Sequence, residues 1–212
     1  ASGRNGGQMI GGISGDSKMA KTLGEEGERI LWEMGWAGHD IIRERVRKYG
    51  IECDLKSGYL DVAIKPRHMR DLEAHHKMLD KYKFVHPYRM LSKEETRNAI
   101  GTEAYIGALR NDGNGHVHPL NLCIGEARAA VSLGATIYEN SPVTEIKRGT
   151  KATVVTERGS VTADFVVLAG NAYHFLERKL KGILFPVNSF IIGSEPLSEQ
   201  IVNQINPHDL AV

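Results

Sequence analysis

Two stretches of the chain carry residue types that suit a bound cofactor. The first is the N-terminus, where glycine stands at positions 3, 6, 7, 11, 12 and 15. Glycine reaches positive φ and lets a backbone approach a ligand closely. Such a stretch is either a cofactor-hugging loop or a frayed terminus. The second is Phe165-Val166-Val167-Leu168-Ala169-Gly170, apolar throughout and closed by two small residues. A strand buried on both faces of a parallel sheet has this composition. Ligands in open parallel sheets bind at the carboxyl ends of strands, where small residues admit phosphates to the backbone. A core strand ending in a small-residue turn has the same composition.

Other familiar chemistries find no support. No GxGxxG follows a strand, and neither a GxxxxGK[ST] loop nor a nucleophile elbow occurs. His116-Val117-His118 lacks a nearby third ligand, so no metal site is expected. Ser2, Cys53 and Cys123 have no evident base partner. Glu25-Glu26 and Glu94-Glu95 fall in first turns of helices, where the helix dipole accounts for them. His75 and His76 are adjacent on a helix and diverge by about 100°.

The elements that position these residues follow from periodicity. Apolar residues from Ile30 to Val46 recur at three- and four-residue steps, predicting a helix over about 25–48. Leu60, Val62 and Ile64 alternate as one face of a strand. Pro66 opens a helix to about Tyr82, and Ser92-Lys93-Glu94-Glu95 fits a capping box for a short helix to Ile100. Tyr105–Leu109 is a candidate strand, Asn111–Gly115 a turn, and Pro119 the start of a helix ending at Gly134. Short strands are expected at 135–138 and 143–147. A hairpin turns at Glu157-Arg158-Gly159, a helix covers 175–180, and a further strand spans 185–192. The order is a mixed α and β plan.

With 212 residues the chain can bury a sizeable core, and its net charge of +1 gives a nucleic-acid or anionic-membrane role no support. No run of about 18 apolar residues spans a membrane. Two cysteines, without a CxxC pairing, suit a reduced cytoplasmic protein; a disulfide between them stays open.

The segment Ser2-Gly3-Arg4-Asn5-Gly6-Gly7-Gln8 resembles the SGRNGGQ segment of the D-amino-acid oxidase-like (DAO) superfamily of FAD-dependent oxidoreductases. Four further blocks agree in order. They are Gly115–Pro119 with the helix to Gly134, Ser141–Ile146, Ala163–Tyr173, and Phe185–Leu197, which is similar to the branch containing gamma-glutamylputrescine oxidases. The resemblance implies an α/β fold with α+β character, in which part of an FAD-binding domain accompanies a mixed-sheet substrate domain. Residues 1–49 would give an FAD-side loop and helix, 50–118 and 181–212 the substrate domain, and 119–180 part of the FAD domain. It implies FAD contacts from Ser2, Gly3, Arg4, Asn5, Gly6, Gly7 and Gln8, from Val143 through its backbone to the adenine, and from Ala169 and Gly170 near the pyrophosphate. It implies hydride removal from the carbon next to an amine, with hydrolysis of the imine, and it assigns no catalytic side chain. A small-molecule amine is the expected partner.

The family's glycine-fingerprint unit and C-terminal segment are expected outside this chain. The chain alone is therefore expected to lack FAD, to be inactive, to have a mobile stretch 1–15, and to self-associate through an uncovered strand edge. A D-amino-acid dehydrogenase or a sarcosine- or glycine-oxidase type enzyme is the alternative within the class. A non-catalytic binding module is the alternative outside it.

Overall fold

The computed structural model describes residues 2–13, 16–171, 173, 176, 182–183, 187 and 189–212. They fall into two compact units, one of 2–129 with 193–212 and the other of 130–192.

The first unit is built on a four-stranded antiparallel sheet whose central strand is β4 (Gly107–His116). β2 (Lys56–Ala63) pairs along one edge of it. β1 (Gln8–Met9) and β3 (Tyr88–Leu91) pair with opposite ends of the other edge. An isolated parallel bridge from Tyr59 to Ala211 adds the C-terminal stretch and makes the sheet mixed. Alternation along β2 sends Leu60 and Val62 to one face and Ala63 to the other. On the first face Leu60, Leu91 and Ala108 pack with Leu210 and with Ala99 and Ile100 of α3 (Lys93–Ile100). On the second, Ala63 and Leu109 pack with Leu72 and Leu79 of α2 (Pro66–Lys81), flanked by Trp32, Trp36 and Phe84. Ile64, expected on the strand face, lies just past the end of β2 and is half exposed.

The helices start and stop where local chemistry directs. The longest among the described residues, α1 (Asp16–Tyr49), breaks at Gly24 (φ 71°), so its main body runs from Glu25 as the periodicity predicts, with further turns before the break. Pro66 opens α2. Ser92 and Glu95 form the expected capping box on α3, and Gly101 closes it at φ 50°. The next helix, α4 (Pro119–Ser132), is followed by Gly134 at φ 97°.

The expected turn at 111–115 proves to be part of β4. Its glycines serve close packing rather than reversal. A Cβ on Gly115 would sit 2.0 Å from the Lys56 carbonyl oxygen, and one on Gly113 would sit 2.3 Å from the Phe84 ring. One further finding departs from the sequence reading. A short helix, α5 (Glu199–Ile205), forms behind the cap of Ser198. Both cysteines are free, Cys53 buried and Cys123 exposed.

The second unit holds an antiparallel meander of β5 (Val143–Lys147), β6 (Ala152–Thr156) and β7 (Gly159–Ala163). The hairpin turns where expected, but 135–138 forms no strand. Phe165–Gly170 is not a strand either, and Phe165 and Val167 are 89% and 86% exposed. A strand buried on both faces requires neighbours on both edges and layers above and below. No strand among the described residues pairs with this run. The helix expected at 175–180 lies outside the described residues except Leu176. Of the strand expected at 185–192, the described residues 187 and 189–192 are unpaired.

Candidate functional site

The Ser2–Gln8 loop is pinned, not frayed. Asn5 closes it from within: its Nδ2 donates to the Ser2 carbonyl at 2.6 Å, and its Oδ1 accepts from the Gly7 N–H at 2.8 Å. Gly7 is buried at φ 72° and its carbonyl accepts from Val117 at 2.8 Å. A Cβ there would lie 2.0 Å from the Val117 carbonyl oxygen, so only glycine fits. Gly3 lies against Leu120 of α4. Gln8 begins β1 opposite His116, and its Nε2 donates to the Val212 carbonyl at 2.9 Å. Ser2, Arg4, Asn5 and Gly6 are exposed.

Gly6 differs from its neighbours. Its φ is not positive, and a Cβ on it would meet nothing within 4 Å. Neither packing nor conformation within the described residues requires glycine there. The backbone at Gly6 is bare and faces open space.

The remaining sequence-predicted residues come together in the second unit. Val143, Ala169 and Gly170 line one cavity of about 460 Å³ with Ile146, Val154 and Tyr173. Its walls are aliphatic with one aromatic ring, and Ala169 and Gly170 present almost bare backbone. Its volume and mostly apolar lining are those of a small-ligand pocket.

Sequence reasoning missed a buried polar network behind the loop. On the edge of β4 between β1 and β3, no strand pairs with Gly113. The His39 Nδ1–H and Arg43 Nη2 donate to its carbonyl at 3.1 and 2.6 Å, and its N–H donates to Asn111 Oδ1 at 2.9 Å. One residue on, Asn114 Oδ1 accepts from the Gly11 N–H at 2.8 Å, fixing the chain just beyond the loop. Arg43 Nη1, Asn111 Nδ2 and His116 Nδ1 are buried without a hydrogen-bond partner. Burial, with the Arg43 guanidinium nearby, holds His86 below the usual imidazole range. The legible signal was the i, i+4 spacing of His39 and Arg43 on one helix face. His116 and His118 take separate roles: His116 Nε2 lies 3.6 Å from Asp209 Oδ1, and His118 Nδ1 accepts from Asn121 N–H at the start of α4.

Comparison with known proteins matches residues 1–211 to the family described as FAD dependent oxidoreductase (DAO). The whole chain is 37% identical to the "Probable oxidoreductase OrdL" of Haemophilus influenzae, covering 51% of that protein. It is 38% identical to the gamma-glutamylputrescine oxidoreductase of Escherichia coli, covering 50% of it. The chain thus spans about half the length of the curated relatives it matches. Among solved structures, glycine oxidase from Geobacillus kaustophilus superposes with a TM-score of 0.58 at 26% identity, over 82% of this chain and 46% of that one. L-Amino acid deaminase from Proteus myxofaciens superposes at 0.63 and 24% identity, over 81% and 37%, a likeness of fold. Among the described residues no helix is long and apolar enough to cross a membrane.

Proposed function

The chain belongs to the DAO family of FAD-dependent oxidoreductases, and from that premise we propose that the full-length protein oxidises a small-molecule amine, a gamma-glutamyl-capped diamine, in cytoplasmic polyamine catabolism. The observation that carries the choice of substrate is the 38% identity, over the whole chain, to a gamma-glutamylputrescine oxidoreductase.

In this reading FAD, when bound, supplies the two-electron chemistry. The chain's own residues bind and orient. Ser2–Gln8 would present backbone to the cofactor at Gly6, with Asn5 and Gly7 holding the loop's shape. Val143, Ala169 and Gly170 would hold the ADP end in their aliphatic cavity. Residues 119–180 belong to the FAD domain, and 50–118 with 181–212 to the substrate domain. No side chain of this chain is assigned as a proton acceptor.

The likeness to glycine oxidase supports the alternative of a small amino-acid substrate. A substrate panel on the full-length protein, read as peroxide release or dye reduction, separates the two. Turnover of gamma-glutamylputrescine and not of glycine, sarcosine or D-amino acids is expected; the reverse preference would overturn the substrate assignment.

A further inference from the structure

A cleft of about 310 Å³ opens in the first unit between α1 and α2. Leu31, Trp32 and Trp36 of α1 face His75 and Met78 of α2, and the Gly11–Gly12 backbone closes one wall. That wall is fixed. A Cβ on Gly11 would meet the Trp36 ring at 2.6 Å, one on Gly35 would meet Gly12 Cα at 2.9 Å, and Asn114 holds the Gly11 N–H. The volume is at the small end of ligand pockets, and the lining is mostly apolar.

Glu28 brings a carboxylate to this apolar setting. The protein already holds an ammonium group there. Lys81 Nζ lies 2.6 Å from Glu28 Oε2 and 4.9 Å from the centroid of the Tyr82 ring. Tyr82 in turn stacks on Trp32 at 4.7 Å and 20°. A carboxylate beside a ring face is the arrangement that recognises ammonium ions. Lys81 is half exposed on a flexible stem, so an incoming ammonium can take its place at Glu28 at small cost. Lys81, followed by the Tyr82 hydroxyl, holds the Glu28 carboxyl below its usual range, so it stays charged at neutral pH. The charge of His75 acts on Asp61, a second carboxylate, on β2.

We propose that this cleft binds a primary alkylammonium ion with a short apolar chain, the ammonium on Glu28 and the chain against Trp32, Trp36, Leu31 and Met78. The inference stands on the cleft alone and does not depend on which substrate the flavin chemistry serves.

Trp32 and Trp36 both line the cleft, so tryptophan fluorescence reports on this site. The full chain, with no FAD added, is titrated with putrescine, butylamine, butanol and butyrate. Both amines should change the emission saturably, with butanol and butyrate about fivefold weaker, the most a partly exposed ion pair supplies. Glu28→Gln should weaken the amines about fivefold and leave butanol unchanged. Ala20→Phe, which fills the cleft from the first turns of α1, should abolish the amine response while far-UV circular dichroism stays native. No saturable change with amines, an equal response to butanol, or indifference to Glu28→Gln would each overturn the proposal.

Discussion

Gly6 and Gly7 are adjacent, yet the structure gives them different reasons to be glycine. Gly7 answers to the fold, with positive φ and the Val117 carbonyl in the way of any side chain. Gly6 answers to nothing within the described residues. In the full-length protein, Gly7→Ala should lower stability by roughly 1–3 kcal/mol, the usual cost of left-handed strain. Gly6→Ala should leave the thermal midpoint unchanged or slightly higher and weaken FAD binding. Calorimetry and a flavin-fluorescence titration on both variants check this; a Gly6→Ala protein with native FAD affinity would remove the loop from the cofactor site.

Glu95 offers a second test at this scale. The Ser92 N–H, then the Arg89 guanidinium, hold its carboxyl down at about 2 against an ordinary 4.5. A depressed carboxylate stabilises the fold fully above its unfolded value and loses that contribution as pH falls through its folded one. The stability difference between the wild type and Glu95→Gln should therefore be constant above about pH 5 and vanish as pH falls from 4.5 toward 2, followed by urea titrations across that window. Capping residues such as these were legible in the sequence because a cap is local. Asn114 and His39 were not, because what they satisfy, the Gly11 N–H and the Gly113 carbonyl, lies 103 and 74 residues away.

At the scale of elements, β4 teaches why Asn-Asp-Gly-Asn-Gly misled. Turn residues and a central strand that needs close neighbours share a composition. Here the glycines admit the Lys56 carbonyl and the Phe84 ring, and Asn111 and Asn114 replace ladder partners. Gly115→Ala should force β2 away from β4 and destabilise the protein by roughly 1–3 kcal/mol, the range for overpacking. Urea unfolding measures it, and a neutral substitution would show that the β2–β4 register has slack. The Phe165–Gly170 run illustrates the opposite case. Its apolar character was plain, but a buried strand is defined by its paired neighbours, and 165–170 pairs with no strand among the described residues.

For the molecule as a whole, the helix periodicities and the Ser2–Gln8 segment made the fold class and family readable, and residues 1–211 match that family. The grouping of Val143 with Ala169 and Gly170 around one cavity was read from resemblance, since more than twenty residues separate them in sequence and no local pattern links them. The central claim is that the full-length protein is a flavoenzyme acting on a capped amine. The most direct measurement is anaerobic mixing of the purified full-length protein with gamma-glutamylputrescine, watching the flavin's long-wavelength absorption band. The account predicts a yellow protein whose band bleaches with gamma-glutamylputrescine and persists with D-amino acids or glycine. A colourless protein, or a band that bleaches only with amino acids, would contradict it.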